Sequence, residues 1–199
     1  KYGDDRRTEI AHVSGEVDIE DLISEEESVF TLTHAGYIKR QPSDTYQAQR
    51  RGGRGITALS RKDEDFVEEL FLASTHDYIL FVTDMGRVYR LKGYQVYEGS
   101  RTSRGVNIVN LLPLQDGEQV TSMLRVPGGD NAEGYLTMVT KAGVIKRTAL
   151  ANYSNIRKNG LIAINLNEGD SLAWTRITSG EDELIVATRN GMAIRISED

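Results

Sequence analysis

The chain has 199 residues, of which 39% are hydrophobic and 27% charged, and its formal net charge is −6. These values are ordinary for a globular protein with one substantial core. The sequence contains no cysteine, which excludes a disulfide framework and a thiolate metal site. It also has no apolar run near the roughly 20 residues of a membrane-spanning helix. We therefore expect a cytoplasmic protein that does not contact a membrane.

The first 28 residues are polar and strongly acidic. Residues 16–27 carry seven acidic side chains and no basic one. The segment has no hydrophobic face long enough to fold alone. We interpret residues 1–28 as an acidic linker that leaves an upstream domain.

The charge is distributed unevenly along the chain. A second acidic stretch, residues 63–69, carries five acids and no base, and outside the two acidic stretches the formal charge is +6. Charges more than about 8–10 Å apart are largely screened at physiological salt. A local basic surface is therefore compatible with the acidic total, and a nucleic-acid partner is not excluded.

From residue 29 onward, short apolar runs with β-type alternation are separated by glycine turns. Four turns share the spacing Thr-x-x-Gly followed by an apolar residue and an arginine. Their glycines are Gly36, Gly86, Gly143 and Gly191. Each turn joins two predicted strands, and glycine supplies the positive φ that a tight hairpin needs.

Two further features recur at fixed places after each turn. An Arg-Gly or Asn-Gly pair precedes a short apolar run at Gly55, Gly105 and Gly160, and an acidic turn then precedes another strand. The turn glycines lie 50, 57 and 48 residues apart. About four strands in each such unit are typical of a propeller-like array of four-stranded blades.

We therefore predict an all-β repeat array over residues 29–199. Its units are residues 29–75, 76–132, 133–181 and a partial unit, 182–199. A closed ring needs more blades than this, so the array is expected to be truncated at about three to four blades. An ordinary β-sandwich with coincidental glycine spacing is the less favoured alternative.

A heptapeptide in the first unit concentrates arginine and glycine. Glycines let the backbone approach a surface closely, and arginine guanidinium groups match phosphate geometry. The combination favours an anion site, with nucleic-acid phosphate as the expected ligand. A solvated or disordered Gly/Arg loop is the alternative. The heptapeptide consists of Gln49, Arg50, Arg51, Gly52, Gly53, Arg54 and Gly55.

Basic residues cluster at two equivalent places in the repeat, the hairpins and the loops before the Gly55-type positions. These places hold 16 of the 24 lysines and arginines. Stacked blades would align them along one edge, as a basic rim that contacts DNA phosphates without specifying sequence. For any one residue, blunting of an exposed sheet edge is an equally good explanation. Outside the heptapeptide, the basic rim comprises Lys39, Arg40, Arg87, Arg90, Lys92, Arg101, Arg104, Lys146, Arg147, Arg157 and Lys158, with Arg189 and Arg195 at the last hairpin.

The sequence shows no pattern for catalysis. The three histidines are isolated, and no Walker-type phosphate loop or nucleophile elbow is present. We therefore expect no catalytic residue, no metal site and no cofactor in this chain.

The heptapeptide and the repeat together resemble the family of C-terminal domains of the DNA gyrase A protein. Residues 49–55 match its gyrase A box, and residues 37–40, 75–77, 86–90 and 2–9 are also similar to family segments. The resemblance covers almost the whole chain. It implies a β-pinwheel, which is a propeller relative whose blades exchange strands.

The function that the resemblance implies is binding and wrapping of duplex DNA around the basic rim, which allows ATP-dependent negative supercoiling. The implied partners are duplex DNA and, through upstream domains, a second gyrase A protein together with gyrase B. The cleavage tyrosine, ATP and Mg²⁺ would act elsewhere in that enzyme, so this chain would be a non-catalytic part of a topoisomerase. The alternatives are the corresponding domain of topoisomerase IV and a propeller used for protein interaction.

Overall fold

The computed structural model describes residues 19–45, 65–127, 129 and 132–198. Within these ranges the chain forms thirteen short β-strands and no α-helix, as the sequence predicted for an all-β protein. Short 3₁₀ turns lie at Ile19–Leu22, Ser43–Thr45, Gly93–Gln95, Ile108–Asn110 and Leu150–Tyr153. None of the described helices is long and apolar enough to cross a membrane. The strands are β1 (Glu27–Thr33), β2 (Tyr37–Pro42), β3 (Val67–Ser74), β4 (Tyr78–Thr83), β5 (Arg87–Lys92), β6 (Val106–Asn107), β7 (Val120–Val126), β8 (Tyr135–Thr140), β9 (Ile145–Ala149), β10 (Leu161–Ile162), β11 (Leu172–Thr178), β12 (Glu183–Ala187) and β13 (Ala193–Ser197).

Four antiparallel hairpins, β1–β2, β4–β5, β8–β9 and β12–β13, form the framework. In every hairpin the turn glycine has a positive φ, between 75° and 86°, and its N–H donates to the carbonyl of the turn threonine at 2.9–3.0 Å. The threonine hydroxyl accepts a further N–H from the residue after the glycine. The predicted equivalence of the four turns is confirmed, and the threonine is explained by its hydroxyl.

The first two blades are four-stranded sheets, and in each of them one edge strand comes from a later unit of the sequence. The first sheet has the order β3-β1-β2-β6 and the second β10-β5-β4-β7. Tyr37 and Ile38 of β2 pair with Asn107 and Val106 of β6, although the whole β4–β5 hairpin separates them in sequence. In the same way β10 pairs with β5. The strand exchange of a β-pinwheel is thus present.

The third and fourth blades have fewer strands among the described residues. The third sheet has the order β11-β8-β9, and the fourth is the β12–β13 hairpin. The described residues thus form two four-stranded sheets, one three-stranded sheet and one hairpin.

Two buried clusters hold neighbouring blades together. Strand β4 contributes to both, because Ile79 and Phe81 face a cluster shared with the first blade while Leu80 and Val82 face one shared with the third. All four residues are at most 1% exposed. Burial of both faces explains why β4 is a continuous apolar run rather than an alternating one.

The sheets have an inner and an outer edge. Strand β7 contacts both β3 and β11, its counterparts in the neighbouring blades. In a propeller, strands that meet from blade to blade lie nearest the axis. The opposite edges, formed by β6 and β10, are therefore the outer ones. The segments that lead into β6 and β10 run along the outside of the array.

Candidate nucleic-acid interface

Two segments, residues 96–105 before β6 and 154–160 before β10, lie at the outer edge, and we call them the outer loops. They carry three exposed cations, Arg101, Arg157 and Lys158. Within the described part of the chain, no hydrogen bond or ion pair engages these three side chains. They are consequently free to meet an anion.

A glycine ends each outer loop and lets it lie close to the hairpin of the previous unit, β1–β2 for Gly105 and β4–β5 for Gly160. Gly105 has a φ of 90°, and a Cβ there would stand 2.4 Å from the carbonyl oxygen of Ile38. Gly160 has a φ of 75°, and a Cβ would stand 2.7 Å from the ring of Tyr89. Any side chain would push the loop away from the sheet. The recurring Arg-Gly and Asn-Gly pairs are explained by this close approach.

Lys39, predicted to be part of the basic rim, lies beneath the first outer loop and is bonded to it. Its residue surface is only 1% exposed. The ammonium donates to the carbonyls of Ser100, Arg101 and Ser103 at 3.1, 3.0 and 3.0 Å. Burial also lowers its pKa below the usual lysine value. Three donors of this ammonium group are thus directed at the outer loop, and its contact with DNA stays a prediction.

Arg40 and Arg90 occupy equivalent hairpin positions and contact the outer loops. The Nε of Arg40 donates to the carbonyl of Val96 at 3.1 Å. Its guanidinium also pairs with Glu26 at 3.0 Å and Glu98 at 2.9 Å, and 12% of the side chain is exposed. Arg90 donates to the carbonyl of Ser154. These contacts occupy donors that the rim prediction assigned to DNA.

Arg87 and Lys92 also have partners within the protein. Arg87 donates to the hydroxyl of Tyr89 and to the carbonyl of Asn159. Lys92 pairs with Glu20 of the acidic N-terminal segment at 2.7 Å. Burial alone would lower the pKa of Lys92, but the bond to Glu20, with contributions from Tyr78 and Tyr94, raises it above the usual value.

The remaining predicted rim residues are partly or largely exposed. Arg104 stacks 3.7 Å above the ring centre of Tyr37, and its guanidinium lies 3.9 Å from Asp65. Lys146 donates to the carbonyl of Ala163, and Arg147 to the carbonyls of Gly180 and Glu198. Each keeps exposed surface beside these bonds.

Aromatic partners of the hairpin arginines were missed at the sequence level. Tyr78 lies under Arg90, with the guanidinium carbon 3.2 Å from the ring centre, and Tyr135 lies under Arg147 at 4.5 Å. Cation–π contacts of this kind orient a guanidinium. Both tyrosines stand five residues before their turn threonine. Alignment of the repeats could therefore have found them.

The heptapeptide Gln49–Gly55 lies outside the described residues. In the sequence repeat, Gly55 aligns with Gly105 and Gly160. The assignment of the heptapeptide as a phosphate site stays a prediction. Among the described residues, no group of three or more metal-ligating side chains is present.

Comparison with known proteins decides the family. The family model described as "DNA gyrase C-terminal domain, beta-propeller" matches residues 27–74, 77–127, 134–179 and 182–199. The chain belongs to this family. The resemblance stated from the sequence, and the propeller-like fold with it, is confirmed.

The gyrase domain has close sequence relatives. It is 52% identical over 198 residues to the DNA gyrase A protein of Clostridium acetobutylicum, covering 100% of this chain and 24% of the relative. It is 48% identical over 200 residues to the gyrase A protein of Staphylococcus epidermidis, covering 100% of this chain and 22% of that protein. The chain therefore spans about a quarter of the length of the curated relatives it matches.

Solved structures show the same architecture. The C-terminal domain of DNA topoisomerase IV matches with a TM-score of 0.74 and 25% identity, covering 88% of this chain and 53% of that one. A DNA gyrase A C-terminal domain matches with a TM-score of 0.64 and 26% identity, covering 85% and 54%. The topoisomerase IV alternative is not better supported, because the relatives near 50% identity are gyrase A proteins.

Proposed function

We propose that this gyrase domain binds duplex DNA along its outer edge and bends the DNA around the blades. The exposed cations of the outer loops, together with the arginines of residues 49–55, would contact phosphates at successive blades. Such contacts position DNA without specifying its sequence. Binding should therefore be sequence-tolerant and strongly dependent on salt.

The observation that carries the proposal is the repetition of free cations at one edge. Arg101 lies in the outer loop of the first blade, and Arg157 and Lys158 lie in that of the second. Acidic surface elsewhere accounts for the negative total charge. A series of equivalent basic positions around a curved edge suits a long, bent polyanion better than a compact ligand.

In the complete enzyme, the wrapped segment would be presented to a cleavage site in an upstream domain. With ATP, this would support negative supercoiling by an assembly of two gyrase A proteins with gyrase B. Strand cleavage, ATP and Mg²⁺ would belong to those other parts. We place this activity in the cytoplasm, where the bacterial duplex is found.

In the decisive experiment, a nicked plasmid is sealed with ligase in the presence and absence of the chain, and its linking number is measured. Wrapping of the positive hand that the family implies should leave a positive change in linking number after the protein is removed. A titration of a short duplex against salt should give a log–log slope of about −0.9 per phosphate contacted. An unchanged linking number combined with salt-independent binding would contradict the proposal.

A further inference from the structure

Several hairpin cations donate hydrogen bonds to main-chain carbonyls of the outer loops. Lys39 places three such bonds, of 3.0–3.1 Å, on the Ser100–Ser103 segment of the first outer loop. An ammonium group has three donors and no acceptor, so three converging carbonyls satisfy it fully. This arrangement fixes the position of the loop backbone.

Neighbouring contacts hold the same loop along β2. The N–H of Arg40 donates to the carbonyl of Tyr97 at 2.9 Å, and Gly99 donates to the carbonyl of Arg40 at 3.0 Å. A Cβ on Gly99 would stand 2.4 Å from the hydroxyl oxygen of Ser103 and 3.1 Å from the Lys39 side chain. The loop therefore packs tightly over the ammonium.

The second blade repeats the arrangement with different side chains. Arg90 donates to the carbonyl of Ser154, and Arg87 donates to the carbonyl of Asn159. These bonds hold the second outer loop at both of its ends. The contact of Arg90 with the second outer loop corresponds to the contact of Arg40 with Val96 in the first. Lys39 aligns with Tyr89, so its three bonds are an addition in the first blade.

In Arg101, a main-chain group bound by another side chain and an exposed guanidinium belong to the same residue. The carbonyl of Arg101 is bound by Lys39, whereas its guanidinium is exposed. In the second loop, Arg157 is exposed three residues after the Ser154 carbonyl that Arg90 binds. A buried or half-buried cation thus binds a main-chain carbonyl at Arg101 and another three residues before Arg157.

We infer that Lys39 and Arg90 are positioning residues, which fix the outer loops through their carbonyls so that Arg101 and Arg157 face the DNA. The inference rests on the proposed function, since the DNA supplies the phosphates. It divides the basic residues into cations that hold the loops and cations that bind phosphate. Both groups are needed for a continuous contact path.

A double-mutant cycle on the 199-residue chain tests this division. The variants are Lys39→Met, Arg101→Ala and the two together, each titrated with a short duplex at several salt concentrations. Loss of one phosphate contact should reduce the magnitude of the salt slope by about 0.9 and weaken binding about eightfold at 0.1 M salt. Each single variant should show this loss, and the double variant should show no more.

Two other patterns would overturn the inference. If the double variant loses about 1.8 from the slope, Lys39 neutralises a phosphate of its own. If Lys39→Met binds as the parent chain does, the loop needs no such support. Lys141→Met is the matched control, because this exposed lysine lies in the β8–β9 turn, away from the outer edge. It should leave the slope unchanged.

Hydrogen exchange without DNA separates failure of the inference from failure of the proposed function. Lys39→Met should speed exchange in residues 96–105 several-fold while β8 and β11 exchange as before. If the parent chain binds no DNA, the proposed function fails, and unchanged exchange would independently overturn the loop-holding role. Should Lys39→Met not fold, the Arg90→Met and Arg157→Ala cycle decides by the same slopes.

Discussion

Substitution of Gly86 by alanine tests the contact between the turn of the second hairpin and residues 163–164, which follow the donated strand β10. Gly86 has a φ of 75°, and a Cβ there would stand 2.6 Å from the carbonyl oxygen of Ile164 and 2.8 Å from its Cγ2. The carbonyl of Gly86 also accepts the N–H groups of Ala163 and Ile164 at 2.9 and 3.2 Å. An added methyl group would push apart two segments that are hydrogen-bonded to each other.

Gly143 provides a matched control for the backbone conformation. It occupies the equivalent turn with a φ of 86°, but a Cβ there would meet nothing within 4 Å. Alanine at a positive φ costs roughly 1–2 kcal/mol, and the stiffer unfolded chain offsets about 0.4–1 kcal/mol of this. Gly143→Ala should therefore lower the free energy of unfolding by about 1 kcal/mol.

Gly86→Ala adds an overpacking cost of about 1–3 kcal/mol, because its close neighbours include main-chain atoms that cannot rotate away. In a chain of this size, a further 2 kcal/mol corresponds to a melting temperature lower by roughly 4–8 °C. Thermal melting and urea titration of the two variants beside the parent chain measure the difference. If both substitutions lowered the free energy of unfolding equally, the contact of Gly86 with Ile164 would not contribute to stability as proposed.

Three further predictions concern the interface and pH. Replacement of the three arginines of residues 49–55 by alanine should reduce the salt slope by about 2.7 and abolish the linking-number change while some binding persists; a normal linking-number change would contradict it. Alanine at both Arg157 and Lys158 should reduce the slope by about 1.8 without altering the melting temperature, whereas an unchanged slope would exclude the second outer loop. Burial alone would raise the pKa of Glu198, but hydrogen bonds from two threonine hydroxyls and two main-chain N–H groups lower it below the usual 4.5. A carboxylate whose pKa is lower in the folded than in the unfolded state stabilises the fold above its unfolded-state pKa, and this stabilisation is lost as the pH falls through the folded-state pKa. Glu198→Gln should therefore be less stable than the parent chain at about pH 6 and should lose less stability toward about pH 3. Parallel pH profiles of Glu198→Gln and the parent chain, measured by urea unfolding, would contradict this.

The hairpins could be predicted from the sequence because their determinants are local. A threonine, a glycine at the position that needs positive φ and alternating apolar residues lie within ten residues of one another. The pairing of β6 and β10 could not be predicted in the same way. A two-residue strand has no periodicity, and its partner is chosen by packing against a hairpin more than 60 residues away, as for Val106 and Ile38.

The division of the basic residues was equally invisible to local sequence. Lys39 and Arg101 both occupy repeated basic positions, and only the path of the first outer loop buries one and exposes the other. One feature of the sequence could have indicated that Lys39 is buried. Lys39 aligns with Tyr89 in the second unit. Lysine and tyrosine both have a long apolar part, so a position that accepts either residue is compatible with burial of that part.

Strand donation has a consequence for synthesis of the protein on the ribosome. The sheet of the first blade stays one strand short after Ser74 has been made, until Asn107 has emerged 33 residues later. At translation rates of about 5–20 residues per second, its outer edge remains open for roughly 2–7 s. Each of the first two blades thus receives its outer strand only during synthesis of the next unit. A ribosome that stalls before that strand emerges leaves the edge of β2 or β5 unpaired, where it can pair with another chain.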